Sequence, residues 1–485
     1  MLRPGLAWFR VAEEEESVRY LSTRGGTAPR DFETVLLEGL ARDGGLFVPE
    51  SWPRLTPAML EGFRGQPYHR VATAIMLPFL GGAMSEDAFA ALVEEAYRGF
   101  RHRAVVPLVQ LGPDEWALEL FHGPTLAFKD IALQVLGRLF DHVLAKRGRR
   151  ATIVGATSGD TGSAAIEACR GRKSVDIFIL HPKGRVSEVQ RRQMTTVLDD
   201  NVHNIAIEGT FDDCQALVKA MFNDAPFRDR LQLSAVNSIN WARVMAQIVY
   251  YVTAAVALGA PDRPVAFCVP TGNFGDVFAG YVARQMGLPI ARLVVATNRN
   301  DILARFFASG EYRMGQVEPT SSPSMDIQVS SNFERLLFDL LGRDGQAVAA
   351  HMAALGEAGG FAVAPAELAA ARALFTGCRV EEAACRDAIA DTYRTTGWLP
   401  DPHTAIGLAA AASLKPEGVP MITLATAHPA KFQAAVARAC GVSPALPAFL
   451  GDLMDRPERV RTLPKDLAAV EAHILSQALI TSGAP

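Results

Sequence analysis

Apolar positions recur at helical spacing over Phe32–Arg42 and again over Ser85–Arg98, so residues 1–100 read as mostly helical. Gly44-Gly45 closes the first segment, and Ser85 serves as N-cap of the second. From about Val105 the pattern changes. Short runs rich in β-branched residues alternate with longer helical runs, as in an α/β fold with a largely parallel sheet. The strands fall at Trp116–Phe121, Thr152–Ala156, Val175–Leu180, Val202–Ile207, Gln232–Val236, Val265–Val269, Leu293–Ala296 and Met421–Leu424. The helices between them are Ile131–Arg147, Ser163–Cys169, Cys214–Asn223, Trp241–Leu258 and Val277–Gln285. Residues 310–400 break this rhythm. Glu318–Asp326 is rich in Ser and Pro and reads as a loop, and the stretch after it reads as helices with no clear strand.

The length, 485 residues, implies two to four domains at roughly 100–200 residues each. Apolar residues make up 49%, enough for large cores, and the formal net charge of −4 offers no field for nucleic acid. The six cysteines include no C-x-x-C pair, which reads as reduced thiols with no metal site of that kind. No apolar run reaches the ~18 residues that span a bilayer, and Glu13–Glu16 is acidic where a secretory or transit segment is basic. The expectation is a cytoplasmic protein with neither nucleic acid nor membrane as partner.

Five polar motifs sit at strand ends or helix starts. Phe121-His122-Gly123-Pro124-Thr125-Leu126-Ala127-Phe128-Lys129-Asp130 places a lysine among apolar neighbours. Burial there disfavours the ammonium and favours the amine that carbonyl chemistry needs. By itself the motif fits an ordinary helix-start lysine better. Thr157-Ser158-Gly159-Asp160-Thr161-Gly162 follows a strand and opens a helix. Its glycines, hydroxyls and free N–H groups suit a carboxylate or phosphate better than they suit a plain capped turn. Pro270-Thr271-Gly272-Asn273-Phe274-Gly275-Asp276 is either a second anion nest or a glycine-rich turn, with neither P-loop nor dinucleotide spacing. Thr426 and His428, in Leu424-Ala425-Thr426-Ala427-His428-Pro429-Ala430-Lys431-Phe432, lie at a strand's carboxyl end, where open α/β sheets place ligands. Alone, they read as local caps. In the fifth motif Asn240 caps a helix whose first turn holds Arg243. A cation disfavoured there by the helix dipole needs a ligand anion or a surface partner, and both readings stand.

Taken together and in this order, the motifs resemble the threonine synthase family, pyridoxal-phosphate (PLP) enzymes of fold type II. The resemblance extends to Tyr20–Gly25 and Glu38–Pro49, and is less distinct over residues 1–16 and 345–400. Other fold-type-II enzymes, such as threonine dehydratase, cysteine synthase and the tryptophan synthase β chain, usually have Asn where this chain has Asp160. The resemblance implies a tryptophan synthase β-like fold. A helical segment, 1–100, would precede a smaller α/β domain, 101–200, and a larger one, 201–485, with a helical insertion at about 310–400.

It further implies a lyase of threonine biosynthesis that converts O-phospho-L-homoserine and water to L-threonine and phosphate, as a monomer or homodimer. Lys129 would carry the cofactor as a Schiff base and move protons at Cα and Cβ. Phe128 would flank the cofactor, Asp160 would lie near its ring hydroxyl, and Gly272, Asn273, Phe274 and Gly275 would hold its phosphate. Thr426 would face the pyridine nitrogen, as a neutral partner that keeps the ring a weaker electron sink. Thr157, Ser158, Gly159 and Thr161 would take the substrate carboxylate. Asn240 would belong to the substrate site, and Arg243 is the first candidate to take the substrate phosphate, with Lys183 and Arg24 as the alternatives. Three other readings compete: a related phospho-lyase that releases an oxo-acid, a threonine dehydratase-like β-eliminase, and a phosphate-binding regulatory protein without catalysis.

Overall fold

A computed structural model describes residues 18–234 and 237–479. The acidic run Glu13–Glu16, the N-terminal residues 1–16 as a whole and the end of the expected strand Gln232–Val236 lie outside the described residues. The chain forms two compact units, each built from separate stretches: residues 1–120 with 238–426, and residues 121–237 with 427–485. The expected sequential boundaries near 100 and 200 do not coincide with these units. Contacts group stretches far apart in the chain, and no local composition marks where it passes from one unit to the other.

The first unit holds a six-stranded sheet. Its order is Phe375–Arg379, Ile290–Thr297, Val265–Pro270, Met421–Ala425, Glu115–Glu119, Leu108–Gly112. All neighbours run parallel except the last pair, a hairpin. Val265–Pro270 and Met421–Ala425 are buried at every position, which explains their unbroken apolar runs. The helix Trp241–Ala257 is buried nearly all round and packs on Tyr68–Met76 and Gly275–Met286. Before the sheet come the helices Phe32–Glu38, Pro57–Gly62, Tyr68–Met76 and Glu86–Arg98, with Ser85 capping the last through Ala88 N. The first ends at Gly39, φ 66°, earlier than the expected Arg42. This region also holds an antiparallel pair, Tyr20–Ser22 with Phe47–Pro49.

The expectation of helices with no clear strand from the end of the Glu318–Asp326 loop to about Thr396 is overturned by Phe375–Arg379 and Gly360–Ala362. Phe375–Arg379 pairs in parallel with Ile290–Thr297, and Glu311–Arg313 pairs with Gly360–Ala362. Phe-Thr-Gly-Cys-Arg carries little apolar alternation. It is an edge strand held by backbone pairing and by close approach, since a Cβ on Gly377 would meet Ala304 Cα at 2.7 Å.

The second unit holds a five-stranded parallel sheet, in the order Arg461–Pro464, Val202–Glu208, Val175–Pro182, Ala151–Ala156, Leu233–Ser234. Gln232, expected to start a strand, instead ends the helix Ala225–Leu231 in the left-handed region. The helix Lys129–Lys146 lies against Asp160–Cys169, and a Cβ on Gly137 would come within 2.5 Å of Ala168 O. These two helices carry the lysine and the acid singled out above.

Candidate functional site

In the second unit Lys129 begins its helix at the end of the 121–128 turn, which is tightly braced. Leu126 adopts φ 62°, a left-handed conformation that a leucine holds only under constraint. The constraint comes from His428 N, which donates to Leu126 O at 3.0 Å, and from a bridge between Ala127 and Ala427. Asp130 is fully buried and accepts from Thr125 N at 2.8 Å and Thr125 Oγ1 at 2.6 Å. Burial pushes its carboxyl up to about 6, against the opposing pull of the Thr125 bonds and of Lys431. Gly123 admits this carboxylate, since an added Cβ would meet Asp130 Cβ and Oδ2 at 2.5 Å.

Lys129 is buried, and its ammonium lies 4.6 Å from the centre of the Phe128 ring. Its Nζ is 3.6 Å from Asp160 Oδ2. Asp160 also meets Lys431 Nζ at 2.8 Å and accepts from Gln190 Nε2 at 2.7 Å. Position 159 requires glycine: φ is +142°, and a Cβ would strike the Gln190 side chain at 2.4 Å. Thr157 is spent on the loop itself. Its Oγ1 accepts from Gly159 N at 2.9 Å and Gly162 N at 2.8 Å, so Thr157, expected to meet the substrate carboxylate, serves as the loop's own cap. Ser158 and Thr161 are half-buried, and no hydrogen bond among the described residues engages their hydroxyls. Lys183 is more than half exposed and paired with Glu208 at 3.0 Å.

In the first unit the loop after Val265–Pro270 and the residue after Met421–Ala425 emerge from neighbouring parallel strands. Phe274, φ 61°, precedes the helix Gly275–Met286 and offers no side-chain cap. The loop's carbonyls are turned to neighbours. Gly272 O accepts from Ser330 Oγ at 2.7 Å, and Asn273 O accepts from both Asn332 N and Asn332 Nδ2 at 3.0 Å. Arg335, fully buried, donates to Asn332 Oδ1, Phe47 O and Ile239 O, and burial lowers its guanidinium to about 9. Thr426 is buried, and its N–H donates to Thr404 Oγ1 at 3.2 Å. Thr404 in turn donates to Asp401, which also pairs with His403 Nδ1 at 2.7 Å.

Asn240 caps its helix through Ala242 N, as expected, while its amide donates to Leu36 O at 2.8 Å. Arg243 lies in the first turn with 4% exposure. Its Nε and Nη1 have no hydrogen-bond partner among the described residues, and burial lowers it to about 10. Arg24 differs. Its guanidinium makes a fork onto Glu334 at 3.0 and 2.9 Å.

Sequence reading missed Ser330, Asn332, Arg335, Asp401, His403, Thr404, Gln190 and the buried state of Lys431. The available signal was the polar run Ser330-Ser331-Asn332 before an apolar helix, and Asp401-Pro402-His403-Thr404 as a helix start. Both resemble ordinary caps until the tertiary partners are known.

Three family models match the chain. The one described as threonine synthase N terminus covers residues 19–97, pyridoxal-phosphate dependent enzyme covers 104–377, and threonine synthase, C-terminal covers 404–474. A Pseudomonas aeruginosa protein named threonine synthase is 59% identical over 94% of this chain and 98% of its own. Among solved structures, a PLP-bound threonine synthase from Brucella melitensis superposes with a TM-score of 0.94. It is 56% identical, over 96% of this chain and 100% of that one. The yeast threonine synthase gives 0.91 at 40% identity, over 96% and 99%. With braced lysine, uncapped glycine loop and matches along nearly its whole length, the chain belongs to the threonine synthase family of pyridoxal-phosphate-dependent, fold-type-II enzymes.

Proposed function

We infer that this enzyme converts O-phospho-L-homoserine and water to L-threonine and phosphate. The observation that carries the reading is Lys129, a buried amine at a braced helix start with one carboxylate at 3.6 Å. The residues present fit pyridoxal 5′-phosphate. An amine is available, and the Gly272–Gly275 loop has its carbonyls engaged elsewhere and an uncapped helix behind it, which suits a phosphate. Gly272 is cramped besides, since a Cβ there would meet Ser324 O at 2.8 Å. When bound, the cofactor supplies the electron sink for carbanions beside the amino-bearing carbon.

Lys129 would anchor the cofactor, and its amine would take protons from Cα and Cβ of the substrate and deliver protons to Cγ and Cα. Gly272, Asn273, Phe274 and Gly275 would hold the cofactor phosphate. Thr426 would offer the ring nitrogen a neutral hydroxyl, Asp160 would serve the ring hydroxyl, and Phe128 would flank the lysine. Ser158 and Thr161, whose hydroxyls no described residue engages, hold the substrate carboxylate, while Thr157 shapes their loop by taking the Gly159 N–H. The substrate phosphate leaves as the Cγ–O bond breaks, water adds at Cβ, and Cγ gains the proton that makes a methyl group.

That leaving group needs a cation. Arg243 suits it best, because two nitrogens of its buried guanidinium, Nε and Nη1, have no acceptor among the described residues, whereas Arg24 and Lys183 are held by Glu334 and Glu208. Asn240 sets the start of the Arg243 helix. Six unpaired thiols fit a reducing cytoplasm. Incubating the holoenzyme with O-phospho-L-homoserine should yield threonine and phosphate in equal amounts, and Lys129→Ala should yield neither. An oxo-acid in place of threonine would reassign the enzyme to phospho-lyase chemistry.

A further inference from the structure

Lys431 has no part in the reading above, yet its side chain has 0% exposure. Lysines are rarely buried so completely without a charge to answer. Its ammonium meets Asp160 Oδ1 at 2.8 Å and donates to Thr125 O at 2.6 Å. The other oxygen of the same carboxylate is 3.6 Å from Lys129 Nζ. One carboxylate therefore lies beside two lysine nitrogens, with Gln190 Nε2 adding a neutral bond at 2.7 Å.

Charged groups from three elements of this unit lie around Lys129. Asp160 belongs to Asp160–Cys169, Lys431 to the turn Pro429–Phe432, and Asp130 to the helix of Lys129 itself. Glu167, further along Asp160–Cys169, acts on Asp130, whose carboxylate is already occupied by Thr125. A carboxylate beside Lys129 with no other cation would hold the proton on that lysine and silence the amine. A second cation on the same carboxylate opposes this. It divides the anion's field and repels a proton on its neighbour, and the pair is buried well inside one Debye length, where salt screens little. A neutral donor could fill the Asp160 lone pair and brace Thr125 O equally well. Charge is what lysine adds.

We propose that Lys431 is a positioning residue that keeps Lys129 in its unprotonated, nucleophilic state by sharing the charge of Asp160. The proposal rests on Lys129 as the cofactor anchor. Its test needs no turnover. Cofactor-free, full-length protein is reductively methylated with formaldehyde and cyanoborohydride across a pH series, and modification of the Lys129 peptide is followed by mass spectrometry. In Lys431→Gln and Lys431→Met the midpoint of Lys129 reactivity should rise by on the order of 1–2 pH units. Reactive amine at neutral pH then falls about ten- to a hundredfold. Lys431→Arg should keep the wild-type midpoint.

An unshifted midpoint in either folded neutral variant overturns the proposal, as does an arginine variant that shifts as far as glutamine. Loss of fold in both neutral variants would assign Lys431 to structure and overturn it as well. Borohydride reduction of the holoenzyme checks the underlying reading separately. A cofactor fixed to any lysine other than Lys129 would remove that reading while leaving the titration result intact.

Discussion

Arg243 is costly to the resting protein, and the role proposed for it would make it valuable to the chemistry. A guanidinium with 4% exposure and two nitrogens without a partner among the described residues has lost its water without full compensation. Arg243→Met should therefore leave thermal stability equal or higher, and leave the cofactor spectrum intact. Turnover of phosphohomoserine should fall by about 2–5 kcal/mol in kcat/KM, as when a buried charge partner is removed. Calorimetry with steady-state kinetics checks both halves, and a destabilised variant with normal kcat/KM would give Arg243 a purely structural task. Thr426→Asp tests the opposite face of the chemistry. A carboxylate in place of the hydroxyl favours a protonated ring nitrogen and a stronger sink, so threonine yield should drop and side products rise with cofactor retained. Chromatography of the product mixture reads this directly. Both positions were legible as residues. Arg243 stood in a helix's first turn, where a cation is out of place, and Thr426 at a strand's carboxyl end. That Arg243 is buried and Arg24 neutralised was not legible, because Glu334 lies 310 residues from Arg24.

The helices Lys129–Lys146 and Asp160–Cys169 act as one element pair, since the first presents Lys129 and the second Asp160. Gly137 lets them approach. A Cβ there would sit 2.5 Å from Ala168 O and 3.0 Å from Ala168 C, both backbone atoms that cannot swing aside. Gly137→Ala should cost about 1–3 kcal/mol of stability by overpacking, despite alanine's better helix propensity. It should also weaken cofactor retention, because the Lys129–Asp160 spacing is set across this contact. Chemical denaturation and cofactor titration measure the two effects, and an unchanged denaturation midpoint would show that the helices yield freely.

Periodicity located these helices and the central strands to within a few residues, since buried parallel strands and amphipathic helices carry strong local signals. It failed at Phe375–Arg379 and at Gly360–Ala362, whose pairing partners supply what their composition lacks. Thr157 was singled out for its hydroxyl, but its two amide bonds make it the loop's own cap, a distinction that spacing cannot express.

Asp130 couples the lysine turn to the stability of the whole molecule. Its folded carboxyl sits at about 6 against an ordinary 3.8, so between those values the folded state binds more protons than the unfolded one. The sign follows: this contribution to stability is fully present below about 3.8 and is lost as pH rises through about 6. The span is worth about 3 kcal/mol. Asp130→Asn should remove that fall from the stability profile between pH 4 and 6, while other carboxylates keep their own slopes. Denaturation across this range measures it, and a profile parallel to wild type would place the titration elsewhere.

The amino-acid sequence by itself determined the α/β character, the central strands, the loops that follow them and the family. Each of these is written in contiguous residues whose periodicity and order act locally. Tertiary structure decided the rest. It grouped 1–120 with 238–426 and 121–237 with 427–485. It brought Lys431 to Asp160 and Asn332 to the Gly272 loop, and it left Arg243 buried without a partner among the described residues. Burial, and the charge that answers a buried group, arise between residues far apart in the chain, so they exist only once it has folded.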